Sequence, residues 1–479
     1  MTRSPAPVAA PAHTQPAMGQ PHPHESARAQ VTGNASYIDD LPEVRGTLYA
    51  APILSRIAHG HLHGVDASAA LQLPGVRSVV LAADVPGDRL LAAFAHDEPV
   101  FAIDRVEYAG QVIGLVVADS VEQARRAARL VRADTTPLPA VLNVQQALAQ
   151  QNYVLPPVFV RRGDAAAALA RAPHRLRGQL EVGGQEHFYL EGQIAYALPQ
   201  EQGQWLIHSS TQHPGEVQHW VAHALAVDNH AVRVECRRMG GGFGGKETQA
   251  GHLAVWAALA AHQTGCPVKL RLDRDDDFMI TGRRHCFWYE YDVGFDDAGR
   301  ILGAAVTMVS RAGHSADLSA PVMTRALCHF DNAYWLPAVD LRGYCARTNT
   351  QSNTAFRGFG GPQGALAVEV ILDEVARRLG LDALAVRRAN FYGTTERNIT
   401  PYGQAVEDNI LAPLVDELAA RGRHDARRAE IAAFNATSPV LKKGLALTPV
   451  KFGISFNVAH FNQAGALVHV YTDGSVLVN

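Results

Sequence analysis

The sequence predicts a mixed α+β chain of several domains, and three observations carry that prediction. Stretches with the two-residue period of strands alternate with stretches of helical period, a long hairpin pattern runs through the middle, and two glycine loops each lead into a helix. At 479 residues the chain is too long for one hydrophobic core, so about three or four domains of ordinary size are expected. A composition of 47% hydrophobic and 19% charged residues supplies normal globular cores.

Several function classes are disfavoured at once. The formal net charge is −3 without a block of Lys or Arg, so no basic stripe for a nucleic-acid backbone is visible. The five cysteines, Cys236, Cys266, Cys286, Cys328 and Cys345, are scattered and lack a C-x-x-C pair. That argues against a disulfide framework, a zinc ribbon or a protein-held iron–sulfur cluster, and fits reduced thiols in the cytoplasm. Nothing approaches a membrane span or a signal-peptide core. Residues 1–25, rich in Pro, Ala and His, read as a disordered tail in which His13, His22 and His24 are solvated.

In chain order, residues 26–142 read as a compact α/β unit. Val76–Leu81, Val112–Val117 and Val131–Thr135 have strand character, and Ser120–Leu130 carries apolar residues at helical spacing with its arginines outward. His59, His61 and His63 alternate along one strand face and are read as incidental, since no fourth metal ligand is apparent. Residues 143–157 look like a linker. Residues 158–395 follow, with strands at Trp205–Ser209, Val232–Cys236 and Val268–Leu272 and a hairpin of Phe287–Phe295 with Ile301–Met308. Residues 396–479 begin a third region, with a helix at Leu411–Leu418 and strands at Leu467–Tyr471 and Val476–Val478. The chain stops inside that last strand, which suggests a fragment of a longer protein.

The chemistry concentrates in the glycine loops. Met239–Glu247, MGGGFGGKE, follows a strand and opens a helix over Thr248–Gln263, a geometry that points backbone N–H groups and a positive helix end at one place. Gly240, Gly242 and Gly245 also satisfy G-x-G-x-x-G, and Asp273 stands where a ribose-binding acid would. An NAD-dependent dehydrogenase is therefore an alternative. The phosphate-loop reading of Gly240, Gly245 and Lys246 fails, because Glu247 replaces the Ser or Thr that would hold magnesium. Alone, this loop fits tight helix–sheet packing, a dinucleotide or another cofactor equally. The second loop, Phe356–Pro362, repeats the G-F-G-G core and leads into a helix at Gln363–Leu379. Leu366, Val370, Leu372 and Val375 are predicted inward there, with Asp373–Arg377 and Glu374–Arg378 as surface pairs. Two such loops, each displaying a Phe, suit a flat aromatic ligand beside a polar cofactor better than one dinucleotide.

These loops, with QEHFYLEGQ (Gln185–Gln193), RALCHFDN (Arg325–Asn332) and LKKGLALTPVKFGISF (Leu441–Phe456), resemble the molybdenum hydroxylases, and within them the molybdenum-binding subunit of the xanthine dehydrogenases. The resemblance runs from about His24 to the end. It implies a hammerhead α/β domain over 26–142, a first molybdopterin-binding domain over 158–395 and the incomplete start of a second over 396–479.

The resemblance also implies roles, residue by residue. Gln212 is similar to the glutamine that approaches the molybdenum oxo group, and Phe243 and Arg357 to residues whose backbone N–H groups face the metal, with Gly242 and Gly244 beside them in the cofactor loop. Glu247 and Arg325 resemble the pair that grips a purine, Phe359 resembles the aromatic residue that packs on its ring, and Phe456 and Asn457 fall in the substrate region. Asn457 departs from the threonine common at that position; amide and hydroxyl differ in size and donors. Aldehyde oxidases are close in sequence but usually lack the Glu247–Arg325 pair, which favours purine hydroxylation.

Hypoxanthine and xanthine as substrates, a sulfido molybdenum–molybdopterin cofactor, and electron transfer to 2Fe–2S and FAD centres and on to NAD are then implied. With no iron–sulfur cysteine pattern here, the implied arrangement puts those centres on a partner subunit in a heterotetramer of two of each. The family's general-base glutamate is expected beyond residue 479, so no acid in this chain takes that role. A non-catalytic assembly component is the reading from another class.

Overall fold

The computed structural model describes residues 18–478. Of the tail read as disordered, residues 1–17 lie outside that range. By residue 25 the chain is tied to the body, with the Glu25 carboxylate 3.2 Å from the Arg237 guanidinium.

A seven-stranded sheet forms the first layer, in the order Val232–Glu235, Trp205–Ser209, Ile194–Pro199, Val268–Arg271, Leu48–Leu54, Val112–Ala118, Val76–Leu81. Val112–Ala118 is buried along its whole length, which explains its unbroken hydrophobic sequence. The N-terminal unit does not keep this sheet to itself. Leu48–Leu54 runs parallel to Val268–Arg271, with Leu48 opposite Val268, so the sheet continues from one sequence region into the next.

Gln249–Thr264 packs on this sheet. Its alanine-rich sequence allows close approach on every side, and Gln249 to Ala261 are all buried. Periodicity alone, which marks Leu253, Trp256, Leu259 and Ala260 as one inward face, therefore gives too narrow a buried surface. The Trp256 indole N–H donates to the Val100 carbonyl at 2.8 Å and ties the helix to the N-terminal unit. Gly265, at φ +66°, ends the helix in the left-handed conformation.

The second layer is a five-stranded sheet ordered His174–Val182, Phe287–Phe295, Ile301–Gly313, Val339–Arg347, Val158–Arg162. The predicted hairpin is its centre, turned by Asp296, whose side-chain oxygen accepts the N–H groups of Ala298 and Arg300. Helices Ser319–Cys328 and Gly361–Leu379 share its hydrophobic core.

Local readings needed three corrections. The stretch read as a linker holds the helix Val144–Ala149, N-capped by Asn143, with Val144 and Ala147 buried. On Gly361–Leu379, Leu366 is 40% exposed, whereas Ala367, Val368 and Ile371 are buried, so the apolar stripe is shifted in phase. Asp373 pairs with Arg387 of the next helix at 2.8 Å, and Glu374 pairs with Arg377. A tertiary charge takes Asp373 from its i,i+4 partner, and Glu374 turns to an i,i+3 partner on its own helix.

His61 and His63 lie on the exposed side of Gly60–Asp66. The C-terminal strands Val468–Val470 and Val476–Val478 are exposed throughout. No helix among the described residues is long and apolar enough to cross a membrane.

Gly251 faces the Trp220 ring so closely that an added Cβ would lie 2.3 Å from it. Gly251→Ala should lower stability by about 1–3 kcal/mol through overpacking, read from the urea denaturation midpoint. An unchanged midpoint would mean that this helix and the one carrying Trp220, Pro214–Leu225, separate freely.

Candidate active site

The two glycine loops adopt the same turn. Gly245 N–H donates to the Gly242 carbonyl at 2.8 Å and Gly361 N–H to the Gly358 carbonyl at 2.9 Å. The central residues are Phe243 (φ 55°) with Gly244 (φ 101°), and Phe359 (φ 52°) with Gly360 (φ 96°). Positive φ at both central positions defines the turn and demands glycine at the second. A phenylalanine in the left-handed region is uncommon and strained, a condition that clusters at functional sites.

Side chains beneath the first loop hold it. The Lys246 side chain has no exposed surface. Its ammonium donates to the Glu191 carbonyl at 2.7 Å and to Ser210 Oγ at 2.8 Å, and lies 3.4 Å from Glu191 Oε2. Glu191 Oε2 also accepts the Gly240 N–H at 2.7 Å and the Ser210 hydroxyl at 2.6 Å. Gln193 Nε2 donates to the Gly245 carbonyl at 2.8 Å, and a Cβ on Gly245 would strike the His187 ring at 2.7 Å. Lys246 thus serves as an internal strut, and the QEHFYLEGQ segment is its socket.

The loops also touch each other. Arg357 N–H donates to the Phe243 carbonyl at 2.9 Å. His187, whose burial holds its pKa down to about 4, bonds the Ala355 carbonyl through Nε2 at 2.7 Å. A Cβ on Gly244 would meet the Ala355 oxygen at 2.7 Å. Beneath the second loop, Arg284 lies 4.1 Å from the Phe356 ring and donates to the Arg357 carbonyl at 2.8 Å.

Of the residues expected to meet a cofactor, Gln212 has its amide fixed by the first loop. Its Oε1 accepts the N–H groups of Gly244 (2.8 Å) and Lys246 (3.3 Å), which leaves the Nε2 donors directed elsewhere. Gly242 packs on Gln212 so tightly that a Cβ would lie 2.5 Å from Oε1. The N–H groups of Gly241, Gly242 and Phe243 meet no acceptor among the described residues. Arg357 departs from expectation, because its backbone N–H is already engaged by Phe243, and so is that of Gly244 by Gln212.

Among the substrate residues, Arg325, Phe359 and Phe456 come together. The Arg325 guanidinium, 5% exposed as a residue, lies 5.9 Å from the Phe359 ring and 5.6 Å from Phe452. It donates to the carbonyls of Gly453 and Ser455, and it forms no ion pair with a carboxylate among the described residues. Its Nε has no hydrogen-bond partner. Phe359 and Phe456 rings are 5.8 Å apart, and Phe456 stacks on Phe94 from the N-terminal unit at 6.1 Å. Asn457 uses its amide donor on the Pro321 carbonyl at 3.2 Å, a structural tie.

Glu247 does not pair with Arg325. It forms no ion pair among the described residues, and burial together with the nearby Glu216 charge raises its pKa to about 7. A neutral carboxylic acid can donate as well as accept a hydrogen bond.

The site is donor-rich. Unclaimed N–H groups, the Gln212 amide and the Arg325 guanidinium suit an anionic, oxygen-bearing group, so these residues fit a molybdopterin cofactor and a polar substrate. No group of three or more His, Cys, Asp or Glu side chains among the described residues is placed to hold a metal ion. A metal here would be carried by the organic part of its cofactor. Sequence reasoning missed Glu191, His187, Arg284, Phe94 and Phe452. Of these, Glu191, His187 and Phe452 were in view within quoted motifs, yet only packing reveals their roles.

Three family models match. Residues 32–139 match the aldehyde oxidase and xanthine dehydrogenase a/b hammerhead domain, and 147–391 and 417–479 each match a molybdopterin cofactor-binding domain. Xanthine dehydrogenase/oxidase from Gallus gallus is 43% identical over 462 residues, 96% of this chain. Xanthine dehydrogenase from Drosophila subobscura is 43% identical over 465. Aldehyde oxidoreductase from Desulfovibrio gigas aligns with TM-score 0.79 at 25% identity, over 95% of this chain and 51% of its own. Quinoline 2-oxidoreductase from Pseudomonas putida 86 aligns with TM-score 0.77 at 25% identity, over 86% and 55%.

The chain spans only 34% of the length of the curated relatives it matches. Those relatives are single polypeptides about three times as long, which overturns the expectation of a separate iron–sulfur/FAD subunit in a heterotetramer. The absence of cluster cysteines in this segment says nothing about the remainder of a longer chain.

Two measurements test this site. Lys246→Met strands the Glu191 carboxylate and should cost about 3–5 kcal/mol, read by urea denaturation; a loss below about 1 kcal/mol would remove Lys246 as the strut. Glu247 holds its proton to about pH 7, against 4.5 for an ordinary glutamate. The folded chain therefore keeps a proton that the unfolded chain releases between those values. This stabilising contribution is full below about pH 4.5 and lost as pH rises through about 7. Glu247→Gln should flatten the fall in stability across that window, and an unaltered slope would mean that the folded carboxyl is ionised.

Proposed function

Because this chain belongs to the aldehyde oxidase and xanthine dehydrogenase family of molybdopterin-binding proteins, we propose that it forms the cofactor and substrate wall of a purine-hydroxylating xanthine dehydrogenase. The substrates are hypoxanthine, converted to xanthine, and xanthine, converted to urate, as in purine breakdown. When bound, the molybdenum–pterin cofactor supplies the oxidising centre and the oxygen-transfer chemistry. Gln212 and the free N–H groups of Gly241, Gly242 and Phe243 hold that group by donating to its oxygens.

The observation that carries the substrate assignment is Arg325. It is a buried cation flanked by aromatic rings, without a carboxylate among the described residues and with its Nε unpaired. A buried charge in that condition is costly until a ligand completes it. A purine carbonyl that gathers negative charge during hydroxylation does so, with the heterocycle packed on Phe359. Glu247, protonated near neutral pH, supplies a hydrogen bond to the ring. A simple aldehyde offers one polar atom and leaves one of the two groups unsatisfied, so the purine is the better match.

Electrons leave for 2Fe–2S and FAD centres elsewhere in the longer polypeptide and then for NAD. The five cysteines of this chain are unpaired, which suits the reducing cytoplasm.

In the full-length protein, Glu247→Ala or Arg325→Met should lower kcat/KM for xanthine by about 100-fold or more, while the thermal midpoint falls by only a few degrees. Unchanged purine kinetics with either variant would rule out this substrate assignment.

A further inference from the structure

A second buried polar cluster lies where the strand His96–Pro99 of the N-terminal domain meets the turn after Ile301–Gly313. The Glu98 carboxylate is 3.4 Å from His314 Nε2 and 3.5 Å from His252 Nε2. It accepts the hydroxyls of Ser352, at 3.3 Å, and Ser315. Beside it, Asp97 Oδ2 accepts the Ala316 N–H at 2.9 Å, and Arg347 donates to the His314 carbonyl at 2.6 Å. The Tyr108 ring sits 4.9 Å from the His314 ring. A cavity of about 20 Å³ bounded by Glu98, Tyr108, Gln249 and His252 has room for one water. A charged acid inserted across a domain boundary into such a place is tolerated only with partners of this quality.

The clamped turn continues to Asp317, which is buried and lies 3.5 Å from Gln249 Nε2. Gln249 in turn accepts the Gly282 N–H at 3.0 Å. Thr248 and Thr354 hydrogen-bond Asp317, and their hydroxyls are 3.2 Å apart. Thr248 directly follows Glu247, and Thr354 precedes the second glycine loop. Polar contacts at the two ends of the 314–317 turn, linked through its backbone, thus join a hammerhead carboxylate to the junction of both loops.

We infer that Glu98 is a positioning residue: by pairing with His252 and His314 it clamps the 314–317 turn, and through the Thr248–Thr354 junction it sets the spacing of the two glycine loops. The N-terminal domain then contributes to the geometry of the site across the domain boundary. The inference rests on the reading of those loops as one wall of the cofactor and substrate site.

The test is hydrogen–deuterium exchange on the full-length protein with Glu98→Gln, which preserves shape and removes the charge. Exchange in segments 240–248 and 354–361 should accelerate about tenfold, and KM for xanthine should rise by a larger factor than kcat falls. Faster exchange confined to 94–100, or a uniform rise across the chain with KM unchanged, would overturn the proposal. If that variant does not fold, His314→Asn carries the same readouts. The exchange arm involves no substrate, so a failure of the purine assignment leaves it intact, whereas normal loop exchange removes the clamp even in an active purine hydroxylase.

Discussion

The site depends on a lysine ammonium with no solvent. Lys246 is held by the Glu191 carbonyl, the Glu191 carboxylate and Ser210. An ammonium in that position is expensive to desolvate, and the structure compensates through short contacts in three directions. The result is that the residues on either side of Lys246 have fixed places. Gly244 and Gly245 press against Ala355 and His187, Gln212 is oriented by the N–H groups of Gly244 and Lys246, and Glu247 stands just before a helix buried from Gln249 to Ala261. The loop resembles a phosphate-binding loop in sequence, yet its lysine points inward. What the loop leaves over is a set of unclaimed backbone donors and an exposed, strained phenylalanine, which is what an oxygen-bearing cofactor needs.

The second loop repeats the solution with different supports. Its Phe359–Gly360 turn has the same handedness, but beneath it lie the Arg284 guanidinium and the carbonyls of the Ser319–Cys328 helix rather than a lysine. A Cβ on Gly360 would meet the Val322 oxygen at 2.1 Å, so that position excludes any other residue. Tying the loops through Arg357 and Phe243 sets them as one surface. Arg325 then stands against Phe359 with its charge stabilised by carbonyl oxygens and aromatic faces, a state that a ligand completes.

The sequence made parts of this legible for physical reasons. A repeated G-F-G-G before a helix is visible because positive φ admits few residues, and strands such as Trp205–Ser209 are visible because burial on one face imposes a period. The family resemblance picked out Gln212, which the structure shows bonded to the first loop, and Arg325 and Phe359, which it places side by side. What could not be read depends on contacts distant in sequence. The sheet shared between Leu48–Leu54 and Val268–Arg271, the Asp373–Arg387 pair and the convergence of Glu98 with His252 and His314 are set by tertiary packing. The engagement of the Arg357 N–H by Phe243 is equally invisible, since it depends on how two loops meet.

The central claim is that the Gln212 amide and the free N–H groups of Gly241–Phe243 face the metal end of a molybdopterin cofactor. Anomalous diffraction at the molybdenum absorption edge, from crystals of the active full-length protein, tests it directly. The account predicts an anomalous peak beside the Gln212 amide, on the side of the loop opposite Lys246. A peak elsewhere, or active protein without molybdenum, would contradict it.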